Sequence, residues 1–271
     1  MSAQGAPPSW DTIASAYDEV VTPLAMSFAE ELLGRVDVGP GVHVLDVAAG
    51  SGALSIPAAR RGAHVVATDI AGALIDGLRK RAKADGLTTI DARVMDGQAL
   101  EFDDDTFDVS ASQFGINLFP DLERGFSELA RVTKPGGRAL VAVFGAAQKA
   151  EFMGFFLSAM KASVPGFTPP DFSNAPPTRL ADPEKLRRVL TDAGLTDVEV
   201  DTVSWRMDFR SGSHLWDLIM ASNPMGGALV ANLTDDQRTE VKTVLDGMLR
   251  ERSSGDGGVL TTDVNVGIGT K

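Results

Sequence analysis

The sequence contains no cysteine and only three histidines. Without thiols, the chain can form neither disulfides nor thiolate-ligated metal sites. Basic residues are also in the minority, since 25 lysines and arginines stand against 37 acidic residues and leave a net charge of −12. A surface that binds phosphate backbones in general has the opposite charge balance. We therefore expect no nucleic-acid partner.

Long apolar runs are missing as well. No stretch approaches the roughly 18 apolar residues of a membrane-spanning helix, so no membrane span is predicted. Residues 1–8 have neither a basic start nor an apolar centre, so we expect a loose tail rather than a signal peptide. These features predict a cytoplasmic protein. The apolar fraction of 44% is enough for a substantial core, and 271 residues suit one large α/β domain.

The chain is organised around residues 44–55 (VLDVAAGSGALS). Four mostly apolar residues are followed by a cluster of very small ones that ends at Gly52. This pattern predicts a buried strand, a tight turn and a helix whose free N–H groups face whatever lies over the strand end. Small side chains at the turn let a ligand approach the backbone closely. Several classes of nucleotide-binding protein use such a turn, so it does not distinguish among them.

A second strand is predicted over residues 64–69, and it ends in Asp69, 19 positions after Gly50. A carboxylate at this place can accept hydrogen bonds from both hydroxyls of a ribose, as in many nucleotide-binding βαβ units. The alternative is an aspartate that only caps the following helix. The glycines upstream favour ribose binding.

Three further segments complete a family pattern. Residues 46–52 (DVAAGSG) and Asp69 are followed in order by 95–100 (MDGQAL), 106–109 (TFDV) and 128–138 (ELARVTKPGGR). These segments resemble the class I S-adenosylmethionine-dependent methyltransferases, and they are most similar to the group of ubiquinone and menaquinone-biosynthesis C-methyltransferases. The resemblance covers about residues 10–145. In one departure from the family pattern, the first glycine of the turn is Ala48 here.

The resemblance implies an α/β fold of the Rossmann-like, doubly wound type. Its seven-stranded sheet is mostly parallel with a reversed last strand, and it carries an N-terminal helical cover and a lid insertion. Residues 1–271 are expected to form a single methyltransferase domain with its cofactor-binding core in 9–145. Lid or acceptor-pocket elements are expected in 146–181 and 211–231. Pro23 is expected to divide the helical cover.

The activity that the resemblance implies is methyl transfer from S-adenosylmethionine, with S-adenosylhomocysteine as the product. The methyl acceptor is expected to be a small apolar or aromatic metabolite. Neither the oligomeric state nor the methylated atom follows from the sequence.

The resemblance also implies where the cofactor binds. Asp96 follows the third predicted strand and would hydrogen-bond the adenine amino group, with Met95 and Gly97 framing the ring; the alternative is a turn-forming Asp-Gly pair. Tyr17, the sole tyrosine, would lie near the methionine carboxylate or would only pack on apolar neighbours. The other expected cofactor-binding residues are Asp46, Ala48, Gly50, Gly52, Asp69, Ile70, Ser112, Gln113 and Phe114.

The fourth predicted strand ends where the reacting methyl group would lie. Ser112, Gln113 and Asn117 are neutral, so no catalytic metal is expected there. The histidines at positions 43 and 64 begin the first two strands, at the end of the sheet away from the chemistry. His214 is the only histidine in the predicted lid and the candidate general base, although a structural histidine is the alternative that the sequence favours.

Two other functions stay open at this point. A nicotinamide-dependent reductase would share the βαβ pattern, but Ser55 occupies its third glycine position, and Tyr17 is followed four residues later by Val21 rather than lysine. A non-catalytic regulator that binds S-adenosylmethionine would keep the same acids. The role of the predicted lid also has two alternatives, because its apolar residues could line an acceptor pocket or pack in the core. These residues are Phe152, Phe155, Phe156, Trp216 and Met220.

Overall fold

The computed structural model describes residues 9–172, 175–222, 224, 226–253 and 257–271. The expected loose tail and residues 173, 174, 223 and 225 of the predicted lid lie outside this description. The core is a sheet of seven strands in the spatial order β3-β2-β1-β4-β5-β7-β6. The strands are β1 His43–Val47, β2 His64–Asp69, β3 Ile90–Val94, β4 Phe107–Gln113, β5 Thr133–Phe144, β6 Thr196–Phe209 and β7 Gly258–Thr270.

The strand order confirms the predicted fold class. The strand pairs β1–β2, β2–β3, β1–β4 and β4–β5 are parallel, whereas β7 runs antiparallel to both of its neighbours, β5 and β6. The chain moves outward from β1 to β3 and then returns to place β4 beside β1. The order therefore reverses between β1 and β4. In open α/β sheets, ligands bind outside the carboxyl ends of the strands at such a point.

Helices cover both faces of the sheet. Among the described residues, no helix combines the length and the apolar character needed to cross a bilayer. The α-helices are α1 Trp10–Ala16, α2 Thr22–Leu33, α3 Ser55–Arg60, α4 Gly72–Ala84, α5 Leu122–Val132, α6 Glu151–Ser163, α7 Pro183–Asp192, α8 Gly212–Ala221, α9 Gly226–Val230 and α10 Asp235–Arg252. Short 3₁₀ turns lie at Ile116–Leu118, Ala147–Lys149 and Pro176–Thr178.

The N-terminal cover is divided a few residues earlier than predicted. A π-helical turn, Tyr17–Val21, separates α1 from α2. Pro23 lies in the first turn of α2, where a residue without an N–H is tolerated because that donor has no partner within the helix. Single π-helical turns inside helices are found frequently at functional sites. Here the turn begins at the one tyrosine of the chain.

The two largest apolar clusters of the core lie on opposite faces of the sheet. Val44 belongs to the first cluster and Leu45 to the second, because successive residues of a strand point to opposite faces. The first cluster packs residues of α2, α6, α8 and α10 against the sheet, and the second packs residues of α5 and α7.

Helix α6 packs against α10 and β7 within the first cluster. Phe156, Ala159 and Met160 are fully buried, and the Phe156 ring lies 5.9 Å from the ring of Trp216. Of the two alternatives for Phe156, the structure therefore shows core packing. The wider assignment of residues 146–181 and 211–231 to a lid stays a prediction.

Candidate functional site

A cleft opens at the point where the strand order reverses, above the carboxyl ends of β1 to β4. It holds about 800 Å³ of unfilled space, including the part open to solvent. Most of the residues predicted to bind a cofactor line it. They are Tyr17, Ala48, Gly50, Asp69, Ile70, Met95, Asp96, Gly97, Gln113 and Phe114.

The turn after β1 forms the floor of the cleft. Ala48 has a φ of 57° and Gly50 a φ of 56°, so both lie in the left-handed region. This conformation costs an L-residue roughly 1–2 kcal/mol, whereas glycine adopts it freely. Ala48 thus keeps the turn at some cost in strain. Its methyl group leaves no room for a side chain at Gly115, where a Cβ would lie 2.4 Å from the Ala48 Cβ.

Three predicted residues lie beneath the cleft rather than in its lining. Asp46 is 1% exposed, and its Oδ2 accepts a hydrogen bond of 2.6 Å from the Ser55 hydroxyl. At Gly52 an added Cβ would lie 2.2 Å from Leu78, so this glycine allows α4 to pack against the turn. The buried Ser112 hydroxyl donates to the Val47 carbonyl at 2.7 Å and so ties β4 to β1. None of the three lines the cleft, and their contact with the cofactor stays a prediction.

The two carboxylates at the ends of β1 and β2 are electrostatically perturbed. Burial raises the pKa of Asp46 to about 7, the Ser55 hydrogen bond lowers it, and the nearby charge of Asp69 adds to the increase. Burial also raises the pKa of Asp69, while hydrogen bonds from backbone N–H groups oppose that shift. Both shifts show that the ionised forms of these carboxylates are poorly solvated where β1 and β2 end.

Asp69 accepts two backbone hydrogen bonds, while ribose binding by this residue stays a prediction. Its Oδ1 accepts the N–H of Ala71, the residue before α4, and its Oδ2 accepts the N–H of Gly50, both at 2.9 Å. It thereby joins the turn after β1 to the start of α4. The same carboxylate lines the cleft, and each of its oxygens has a further lone pair for a ligand.

The helical cover is held over the turn after β1. The Tyr17 ring stands 3.2 Å from the position that a Cβ on Gly50 would occupy, and the Trp10 ring meets it edge-on at 6.1 Å. Asp18 pairs with Arg81 of α4 at 2.6 Å. Burial and the two nearby carboxylates raise the pKa of Tyr17, so its hydroxyl stays protonated and can donate a hydrogen bond.

Apolar surface borders the far end of the cleft, over β2 and β3. Ile70 is 66% exposed, which is unusual for a large apolar side chain in this protein. Gly97 is pressed against Phe119, whose ring atom Cζ lies 2.4 Å from where a Cβ would be. The exposed Asp96 accepts the N–H of Gln98 at 2.9 Å, so it forms the predicted turn and also lines the cleft.

Comparison with known proteins identifies the family. Residues 44–137 match the model of a methyltransferase domain. Over 182 residues the chain is 36% identical to an uncharacterized protein of Mycobacterium tuberculosis; the match covers 67% of this chain and 62% of that protein, so the chain spans less than two thirds of this relative's length. Over 160 residues it is 33% identical to the demethylmenaquinone methyltransferase of Streptomyces avermitilis, with 58% of this chain and 67% of the relative covered. The chain belongs to the class I S-adenosylmethionine-dependent methyltransferases.

A solved methyltransferase has the same fold. The phosphoethanolamine N-methyltransferase 2 of Haemonchus contortus, in complex with phosphomonomethylethanolamine and S-adenosylhomocysteine, is similar with a TM-score of 0.59. The sequence identity is 17%, and the match covers 96% of this methyltransferase and 57% of the other chain. At that identity the similarity shows the fold alone.

The cleft of this methyltransferase fits S-adenosylmethionine in charge and shape. The glycine turn lets the Tyr17 ring approach the backbone at Gly50, and Asp69 presents a carboxylate at the end of β2. The exposed side chain of Ile70 offers an apolar surface that a flat ring can cover. A positive charge close to the buried carboxylates would favour their ionised forms, which burial disfavours.

His214 is not part of this cleft. Its side chain lies at the start of α8, where Nδ1 accepts the N–H of Arg210 at 3.3 Å and the ring packs 5.7 Å from that of Phe209. Burial lowers the pKa of His214, and Arg210 adds to this shift. The prediction of His214 as general base placed a lid residue at the chemistry from its position in the sequence alone. The structure supports the structural alternative.

Several lining residues were missed by the sequence analysis. They are Trp10, Leu74, Gln98, Gly115, Leu118, Phe119 and Pro120. Four of them, Gly115, Leu118, Phe119 and Pro120, directly follow β4. Their position just after a predicted strand end is the signal that could have found them. Trp10 and Leu74 lie on helices, and no local motif marks them.

Proposed function

We propose that this methyltransferase binds S-adenosylmethionine in the cleft and transfers its methyl group to a small apolar or aromatic acceptor. The observation that carries the choice of acceptor is the lining itself. Beyond Gln113 the lining is apolar at Phe114, whose ring stacks on the rings of Phe28, Phe144 and Trp205. Within the part of the chain that the structure describes, the cleft lining includes two carboxylates, Asp69 and Asp96, and no lysine or arginine. An anionic acceptor would find no counter-charge there.

Each end of the cleft suits one part of the cofactor. Asp69 accepts hydrogen bonds from the ribose hydroxyls, and Asp96 accepts one from the adenine amino group, with Ile70 and Met95 beside the ring. Tyr17 donates its O–H toward the methionine carboxylate, a role for which its raised pKa keeps the proton in place. The type and position of each lining residue support these assignments, which the family resemblance implies.

The cofactor supplies a sulfonium-activated methyl group, so the chemistry asks little acid–base catalysis of the protein. Transfer would form a bond from the acceptor to the methyl carbon and break the sulfur–carbon bond, leaving S-adenosylhomocysteine and releasing the proton of the acceptor to solvent. The main tasks of this chain are to align the acceptor and to exclude water. Trp10 and Tyr17 of the cover and Phe114 at the end of β4 close the cleft with apolar surface.

An acceptor screen with methyl-labelled S-adenosylmethionine tests this proposal. Quinones, phenols and polyketides are offered beside anionic controls such as benzoates and phosphate esters. We expect label in at least one neutral aromatic acceptor and none in the anionic set. Transfer to the anionic compounds alone would contradict the assignment of the acceptor. Tight cofactor binding without transfer to any compound would favour the non-catalytic alternative. The exclusion of nucleic acid stays a prediction that an RNA and DNA arm of the same screen addresses.

A further inference from the structure

One wall of the cleft is the short loop of residues 115–120. It follows Phe114, whose φ of 60° lies in the left-handed region, and contains the 3₁₀ turn Ile116–Leu118. Leu118 and Phe119 face the cleft. The Phe119 ring fills space that two glycines leave, since a Cβ on Gly97 or Gly125 would lie 2.4 or 2.5 Å from it. The position of Phe119 therefore sets the width of the cleft at the end over β3.

Arg179 reaches this loop from the other side. Its Nε donates to the Asn117 carbonyl at 2.6 Å, and its Nη2 donates to the Phe119 carbonyl. Both contacts are to neutral backbone oxygens, and burial lowers the pKa of the guanidinium. The planar fork of arginine can hold two acceptors at a fixed spacing, which a lysine cannot do. A half-buried charge is thus used to fix two carbonyls that flank Leu118.

The contact is reciprocal. The Asn117 side-chain amide donates to the carbonyls of Pro177 at 3.3 Å and of Pro176 at 3.5 Å. The segment 176–179 and the loop 115–120 therefore hold each other through hydrogen bonds in both directions. Arg179 lies outside residues 44–137, which match the methyltransferase model, so this brace comes from the part of the chain beyond that match.

We propose that Arg179 is a positioning residue of the methyltransferase site, which acts through the backbone of residues 117–119. By fixing the two carbonyls, it keeps Leu118 and Phe119 in the wall and so preserves the shape of the cleft for the adenosine part of the ligand. The proposal rests on the proposed function, because the shape of the wall is tested through the affinity for S-adenosylhomocysteine. It also links the predicted lid segment 146–181 to the cleft through a defined contact.

Substitution of Arg179 tests the proposal, with Arg187 as a matched control. Arg187 of α7 is also half-buried and also donates to a backbone carbonyl, that of Val198, but it does not line or brace the cleft. S-Adenosylhomocysteine is titrated into the wild type, Arg179→Gln, Arg179→Lys and Arg187→Gln at a temperature where each variant is folded by its thermal melt. We expect Arg179→Gln to weaken binding about tenfold and Arg179→Lys about threefold, since lysine can serve one carbonyl only.

The Arg187→Gln variant should keep the affinity of the wild type even if its melting temperature falls. Wild-type affinity in Arg179→Gln would overturn the proposal, and so would an equal loss of affinity in Arg187→Gln. If Arg179→Gln does not fold, the lysine variant decides: a threefold loss supports the brace, and unchanged affinity overturns it. A wild-type protein that does not bind S-adenosylhomocysteine would refute the proposed function itself.

Discussion

Replacing Asp69 with alanine is expected to weaken the binding of S-adenosylhomocysteine by about 1.5–3 kcal/mol, or about 10- to 150-fold. The physical reason is the loss of two charge-assisted hydrogen bonds to the ribose hydroxyls. The same change removes the acceptors of the Gly50 and Ala71 N–H groups. Leaving these donors unpaired costs about 1–3 kcal/mol of the free energy of unfolding for each donor. Calorimetric titration and a denaturant melt on the same variant measure both losses.

Asp69→Asn is the matched control, because it keeps the shape and one acceptor oxygen but loses the charge. Its affinity for S-adenosylhomocysteine should lie between those of the wild type and the alanine variant. A residue that served only a ligand could be replaced with little loss of stability, whereas the two backbone contacts of Asp69 predict a loss. If Asp69→Ala loses stability while its affinity is unchanged, the residue is a structural cap and the ribose assignment fails.

Phe156→Ala should cost about 3–5 kcal/mol of the free energy of unfolding, the range for removing a buried phenylalanine. The side chain is fully buried, and its neighbour Trp216 cannot fill the space without leaving its own contacts. Because Phe156 does not line the cleft, the affinity for S-adenosylhomocysteine should stay within about twofold of the wild type wherever the variant is folded. A denaturant melt and a titration below the melting temperature measure the two quantities.

Phe155→Ala on the same helix provides the control. Phe155 is only partly buried, so we expect a loss of about 1–2 kcal/mol. Equal losses for the two variants would show that α6 is loosely packed. A small effect of Phe156→Ala on stability together with impaired methyl transfer would restore the lid assignment at this position.

The strand ends could be predicted from the sequence because their signals are local. An apolar run that stops at small residues or at an acid fixes β1 and β2, and parallel strands bring Gly50, Asp69 and Asp96 to one edge of the sheet. The depth of each side chain could not be predicted in the same way. Asp46 belongs to the family motif, but in the structure it points below the turn, toward Ser55.

Features that depend on contacts between residues far apart in the chain could not be predicted from the sequence. The left-handed φ of Ala48 depends on the empty space at Gly115, which is 67 positions away in the chain and shows no pattern with it. Arg179 reaches the cleft from beyond the family match, and nothing in its neighbours marks the contact. His214 was chosen because it is the only histidine in the predicted lid, but a position in the sequence does not determine whether the side chain reaches the cleft. Tertiary packing decides such cases.

The most direct test of the account is a calorimetric comparison of cofactors on the wild-type protein. S-Adenosylmethionine, S-adenosylhomocysteine, NAD and NADP are titrated under the same conditions. We expect dissociation constants of about micromolar magnitude for the two adenosyl compounds and no measurable heat for the nicotinamide cofactors. Tight binding of NADP with no signal from S-adenosylmethionine would contradict it.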